Sequence, residues 1–195
     1  MRRVTGKKEM YTGKGDGGRT SLLGKQKVSK GSHRIEVLGE LDEFSSALGL
    51  ARALSDVKAS QEILLAVQRD VYILMAEMAV SVKSEKAGKP LDGERVKWLE
   101  SKITRVTAGV RTPDGFIVPG DSPAGAALDL ARTVARRVER RVVHQVDRGR
   151  KVSPVILSYL NRVSSLLFAL ELCELDAKSL KPTRARETTE KGAGK

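Results

Sequence analysis

The stretch Ala131-Arg132-Thr133-Val134-Ala135-Arg136-Arg137-Val138-Glu139-Arg140-Arg141 carries two periodicities at once. Ala131, Val134, Val138 and then Val142 step by three and four, the apolar stripe of an amphipathic helix. Arg132, Arg136 and Arg140 step by four, so they form a row along that same helix. Like charges at this spacing repel and weaken an isolated helix. The row is therefore either a solvated basic face or a grip for a strongly anionic ligand. Arginine keeps its charge at every physiological pH, and its planar fork matches phosphate oxygens. A polyphosphate is the sharper of the two readings.

Outward from this helix, which the pattern extends over about Ser122–Asp147, four more helices follow from the same spacing. One runs from Ile35 to Leu54 and a second over Lys58–Val82, ended by Ala87-Gly88-Lys89-Pro90. A third starts at Asp92, an N-cap with Glu94 in the first turn. The last covers Ser153–Asp176 and opens with Ser153-Pro154. No strand alternation is evident. The expected fold is all-α, a five-helix up-and-down bundle over residues 35–176. Residues 1–34 read as an extended loop. Residues 177–195, polar and without an apolar run, read as a disordered basic tail.

A chain of 195 residues suits one domain with a sizeable core, and 4% aromatics make that core aliphatic. The net charge of +12 sits at the two ends, because residues 35–176 hold equal numbers of acidic and basic side chains. Basic ends fit nucleic acid, an acidic ligand or simple solubility. The single cysteine, Cys173, excludes an internal disulfide and falls on an apolar helix face, as an inert thiol would. No run of about 18 apolar residues predicts a membrane span. The N-terminus lacks the apolar segment of a secretory signal, and the cytoplasm is the expected compartment.

Three places carry chemistry. The first is Tyr11-Thr12-Gly13-Lys14-Gly15-Asp16-Gly17-Gly18-Arg19-Thr20-Ser21, with four glycines in six residues. Glycines let a backbone curl its N–H groups around an anion. The stretch nearly matches a P-loop, but no strand precedes it and no helix follows, so that fold is rejected. It is either a flexible basic terminus or a phosphate-binding loop of glycines with Lys14, Thr20 and Lys30. The second is the arginine helix, where Glu139 shares the face of Arg132 and Arg136. Glu139 orients the guanidinium groups, holds a ligand hydroxyl, or makes an ordinary surface ion pair. The third is the last helix, where Asn161, Ser164 and Ser165 form a polar strip in an apolar sequence. That strip serves helix-to-helix hydrogen bonds or holds a ribose or base. Asp42 and Glu43 in the first helix are placed to pair with an arginine if that helix packs on the fourth. His33 and His144 lie at helix ends, and no His/Cys cluster has metal-ligand spacing, so no metal ligand is assigned. Anion binders are plentiful and proton-transfer groups are scarce.

Together, residues 11–49, 116–141 and 159–168 resemble the trimeric, helical-bundle ATP:cob(I)alamin adenosyltransferases of PduO type. The motifs are Tyr11-Thr12 through Gly39-Glu40-Leu41-Asp42-Glu43-Phe44, then Phe116-Ile117-Val118-Pro119-Gly120 with Ala131-Arg132-Thr133 to Arg140, and Tyr159-Leu160-Asn161-Arg162-Val163-Ser164 to Phe168. The resemblance implies transfer of the 5′-deoxyadenosyl group of ATP to the cobalt of reduced cobalamin, with release of triphosphate. It implies that Thr12, Gly13, Lys14, Gly15, Thr20, Ser21 and Lys30 wrap the phosphates with Mg²⁺. It assigns ATP binding to Arg132, Arg136, Arg137, Glu139, Arg140 and Asn161. It pairs Asp42 with Arg132, and it gives Phe116 the task of crowding the lower face of the corrin and displacing the axial ligand. It places the site between subunits of a homotrimer, and it leaves room for a reductase and for an enzyme that receives the product.

The chain departs from the family pattern at three places. The usual Thr-Arg-Thr-Gly-Asp reads Thr12-Gly13-Lys14-Gly15-Asp16, a second glycine after Gly120 is replaced by Asp121, and a histidine usually near the Ala-Arg-Thr triplet is replaced by Asp129. Two rivals stand beside the resemblance. One is a basic nucleic-acid-binding bundle, whose affinity would fall steeply with salt. The other is a purely structural bundle whose arginine row is only solvated.

Overall fold

The computed structural model describes residues 11–23, 26–80 and 88–186. Five helices dominate: α1 (His33–Leu54), α2 (Lys58–Ala79), α3 (Gly93–Thr107), α4 (Pro123–Asp147) and α5 (Pro154–Ala177). Their starts follow the expected chemistry. Asp92 accepts from the Arg95 N–H to cap α3, and Ser122 accepts from the Gly125 N–H to cap α4. Pro123 and Pro154 occupy first-turn positions where no N–H is needed.

The helices pack in the spatial order α2, α1, α4, α5, α3. Side-chain pairs give their directions. Gln145 near the end of α4 donates to the His33 carbonyl at the start of α1, and Gln68 of α2 donates to Ser45 of α1. α4 lies antiparallel to α5, since Glu139 meets Asn161 while Gly125 approaches Glu171. α3 runs parallel to α5, with Glu100 against Arg162. The result is the expected up-and-down bundle with one face of each helix in an aliphatic core. Phe44 and Tyr159 are its only fully buried aromatic side chains among the described residues.

α5 is the one described helix long and apolar enough, by length and composition, to cross a membrane. Here it is the central element, with 13 of its 24 residues buried against its neighbours. Its apolar character thus belongs to a bundle core.

Three expectations are corrected. α2 ends at Ala79, not Val82, because Val80 turns to extended backbone and bridges Leu23; Val82 and Ala87 lie outside the described residues. The N-terminal segment is not all loop. β1 (Arg19–Ser21) and β2 (Lys27–Ser29) pair antiparallel, with Thr20 opposite Val28. The tail is also not disordered throughout. Residues 183–185 pair with residues 116–118, and Thr183 donates to Asp121. Residues 187–195 lie outside the described residues.

Candidate active site

α4 sets out the arginines as the sequence predicts, but their neighbours split them into two groups. Arg137 and Arg141 face α1. Arg137 pairs with Glu40 and Glu43, and Arg141 pairs with Glu36 at 3.0 Å. The paired carboxylates hold the Arg137 guanidinium above its ordinary range, with Glu40 the larger influence. These two residues lock α4 to α1, and Glu43 is indeed one of the acidic partners expected in α1.

Arg136 and Arg140, each one residue earlier on the helix, make no ion pair with α1. Both are exposed, and neither has an ion-pair partner among the described residues. Arg140 shares a shallow basic groove with Arg137, Arg141 and His144. The Cα atoms of these two residues are about 6 Å apart along the axis, one helical turn. Two side chains this long can both reach a single triphosphate chain.

Arg132 is two-thirds buried and forms a pair with Asp129, with Nε and Nη2 both donating to Oδ1 at 2.7 and 2.6 Å. Within the chain the three-residue helical spacing brings Asp129 to Arg132, while Asp42 lies exposed on α1 and its carbonyl accepts from Ser46. Behind the pair sits Glu171 of α5, 2% exposed, with Oε2 lacking a protein partner. Burial, and then Asp129, raise its carboxyl to about 7, with Arg132 opposing and Asp121 adding to the rise.

The sign of this effect fixes a prediction. The folded chain holds the Glu171 proton to higher pH than the unfolded chain does, so stability falls as pH climbs from the ordinary carboxylate range through about 7. Glu171→Gln is expected to flatten that decline in thermal melts taken across this window. An unchanged slope would contradict it.

On α5, Asn161 donates from Nδ2 to Glu139 Oε1 at 3.2 Å and accepts from Arg162 at 2.8 Å. Glu139 therefore meets Asn161 across the helix interface. Both residues stay on the accessible side, next to Arg136 and Arg140. Ser164 turns back onto the Asn161 carbonyl and takes no part.

The glycine loop stands at the end of the bundle where α1 begins and where α2 and α4 finish. Asp16 N–H donates to the Gly13 carbonyl and Gly18 N–H to Gly15, two tight turns in succession. Lys30 folds over the loop, and a Cβ at Gly15 would lie 2.9 Å from Lys30 Nζ. Thr12, Lys14 and Ser21 are exposed and Thr20 is half-buried. Leu22 is buried, and the Leu23 N–H donates to the Ala79 carbonyl, which pins the ribbon to the end of α2. Phe116 lies at the opposite end, on the loop before α4, and is 90% exposed. No hydrogen bond or ion pair joins the glycine loop to Arg132, Arg136 or Arg140 within the described residues. Among those residues no group of three His, Cys, Asp or Glu gathers to hold a metal.

Three side chains that matter here were not singled out from the sequence for these tasks. Asp129 stands where the family pattern has a histidine, and its spacing from Arg132 is an ordinary helical pair. Glu171 lies on the buried face of α5, four residues after Leu167. Glu40 lies beside Asp42 and Glu43, and only the packing of α1 on α4 shows that it reaches Arg137.

Known proteins bear on this arrangement. The family model described as cobalamin adenosyltransferase matches residues 10–174. The corrinoid adenosyltransferase PduO of Salmonella typhimurium is 37% identical over 166 residues, covering 85% of this chain and 49% of that protein. The chain thus spans about half the length of that relative. The corrinoid adenosyltransferase of Bacillus subtilis is 36% identical over 165 residues, 83% of each chain. Among solved structures, a phenylalanine-to-alanine variant of the PduO-type ATP:corrinoid adenosyltransferase from Lactobacillus reuteri, complexed with cobalamin and ATP, superimposes with a TM-score of 0.85. It is 28% identical, and the match covers 92% of this chain and all of that one. The unpaired arginines, the Glu139–Asn161 contact and the exposed Phe116 accordingly sit in a chain that belongs to the cobalamin adenosyltransferase family.

Proposed function

We propose that this chain transfers the 5′-deoxyadenosyl group of ATP to the cobalt of a reduced corrinoid and releases triphosphate. The observation that carries the reading is the pair of exposed, unneutralised guanidiniums, Arg136 and Arg140, on a helix whose other arginines are paired. An electron pair from Co(I) forms the Co–C bond as the C5′–O bond breaks, and the leaving pair goes to the triphosphate oxygen. No proton must move at the reacting carbon, which agrees with the scarcity of acid–base groups. The protein's share is orientation and charge stabilisation.

The family resemblance suggests the roles. Arg136 and Arg140 take the triphosphate, with Arg132 held at the head of the row by Asp129. Glu139 and Asn161, bonded to each other, present one carboxylate oxygen and one amide to the nucleoside. Phe116 meets the corrin. Thr12, Gly13, Lys14, Gly15, Thr20, Ser21 and Lys30 close over the phosphates. The reading places the site between the subunits of a homotrimer, because no hydrogen bond or ion pair joins the glycine loop to Arg132, Arg136 or Arg140 within the described residues of one chain. Exposed apolar residues on α4, among them Leu130 at 50% and Val143 at 39%, give such an assembly a surface to bury. Asp42, exposed on α1, is then free to reach Arg132 of a neighbouring subunit.

Mg²⁺ fits as a companion of the triphosphate. The loop offers hard oxygen donors in Asp16, Thr12, Thr20 and Ser21, too few carboxylates for a resident site. Bound there it would screen the phosphates. A separate reductase would supply the electron that makes Co(I), and a corrinoid-dependent enzyme would receive the product. The reading places these steps in the cytoplasm. It also gives Phe116 and Asn161 a task that the nucleic-acid alternative does not.

The test is purified protein with ATP, Mg²⁺ and chemically reduced cobalamin. The expected result is the absorbance change of a new Co–C bond. No change, with Co(I) confirmed, rejects the proposal.

A further inference from the structure

Phe116 is exposed on a loop that does not pack closely on the bundle. Between the loop and the end of α5 lies a cleft of about 430 Å³, lined by Val110, Pro113, Leu172, Leu175, Leu180 and Pro182. Gly115 and Gly120, with φ of 96° and 134°, flank the phenylalanine and leave its backbone many alternatives. Left to itself, such a segment would spread Phe116 over a wide range of positions.

The tail removes that freedom. The Ala185 N–H donates to the carbonyl of Phe116 itself at 2.9 Å, and the Val118 N–H donates to the Thr183 carbonyl at 2.8 Å. Ile117 and Arg184 sit opposite each other in this short antiparallel pairing. A two-stranded ribbon this small is marginal in water. What secures it is Asp121, whose Oδ2 accepts from the Thr183 N–H at 2.8 Å and whose Oδ1 accepts from the Thr183 hydroxyl at 2.6 Å. Both bonds are charge-assisted, and the pair leads directly into the α4 cap at Ser122. The Thr183 bonds hold the Asp121 carboxyl below its ordinary range, so it is ionised at neutral pH. Asp121 is also one of the places where this chain departs from the family pattern.

We propose that Asp121 and Thr183 form a clamp that fixes Phe116 where it meets the corrin, which makes them positioning residues for the corrinoid half of the reaction. The inference rests on the adenosyltransferase reading. The clamp stands just before the α4 N-terminus, at the other end of that helix from Arg140, and its direct bonds are to the Phe116 segment, so its effect is expected on the corrinoid rather than on ATP.

The experiment compares the full chain with Asp121→Ala, Thr183→Val and Thr183→Ser. It reads steady-state adenosylation, the KM for ATP, the melting temperature, and the visible spectrum of bound cob(II)alamin, which reports displacement of the axial ligand. Asp121→Ala and Thr183→Val are expected to lower turnover about tenfold, equal to about 1.4 kcal/mol. They are expected to reduce the displaced fraction, with the ATP KM and the melting temperature unchanged. Thr183→Ser, which keeps the hydroxyl, is expected to restore both readouts. If the two disruptive variants match the parent in turnover and spectrum, or if Thr183→Ser fails as they do, the clamp is overturned while the adenosyltransferase reading stands. If the parent chain forms no Co–C bond, that reading fails and takes the clamp with it.

Discussion

Arg136→Ala is expected to lower adenosyl transfer about 10²–10³-fold, the usual loss when one preorganised donor to a developing negative charge is removed. The leaving triphosphate gains charge at the oxygen released from C5′. Arg136 is charged, exposed and unpaired, so its whole interaction is available to that group. No ion pair among the described residues involves it, and helix content and melting temperature should therefore stay as they are. Arg132→Ala is expected to abolish turnover as well, with a different signature. It leaves Asp129 and the buried Glu171 facing each other without their cation, so stability falls along with activity. Steady-state kinetics and circular dichroism on both variants check the contrast. A nearly neutral Arg136→Ala would mean that the row is only a solvated face.

The largest expected loss of stability is elsewhere. Asp70→Ala is expected to destabilise the fold by about 3–5 kcal/mol, the usual cost of removing one partner from a buried charged network. Asp70 on α2 is 4% exposed. Its Oδ2 accepts from Arg95 Nη2 at 2.6 Å and Nε at 3.1 Å, and from the Tyr159 hydroxyl at 2.7 Å. One carboxylate thus ties α2, α3 and α5 together. Burial, and next the adjacent Asp70, push the Tyr159 phenol well above its ordinary range, so it stays a donor. Arg95 is braced on its other side by Trp98, 4.1 Å from the ring centroid. In a chain of this size each kcal/mol moves the melting temperature by about 2–4 °C, so a drop of about 10 °C is expected. Tyr159 is buried while Asn161 is exposed on the same helix, and the KM for ATP should not move in the variant that stays folded. A shift of only about a degree in thermal melts would contradict the network's role.

How far the sequence disclosed this molecule depends on the range of the forces involved. Helix positions were legible because burial imposes a short period, and the ends were legible where the signal is local, as at the Asp92 cap and at Ser153-Pro154. The ribbon of Arg19–Ser21 and Lys27–Ser29 was not, because three-residue strands hold too few positions to show alternation. The ordered start of the tail was hidden by its polar composition. Its anchor is a hydrogen bond across 62 residues, which no local window contains. Asp70 did leave a trace, since it lies three residues after Val67 and four before Leu74, on a buried face. An acidic residue there needs a partner, but only the fold shows that Arg95 and Tyr159 supply it. At the site, the row of arginines was legible as a row. Which members were already neutralised was not, because Glu36, Glu40 and Glu43 come from a distant helix.

The account depends on the anionic tail of the nucleotide lying along the α4 row. A crystal structure of the chain with bound ATP measures this directly. The prediction is triphosphate oxygens within about 3 Å of the Arg136 and Arg140 guanidinium nitrogens, with the glycine loop of a neighbouring subunit closed over them. A triphosphate bound elsewhere, with Arg136 and Arg140 hydrated, would contradict it.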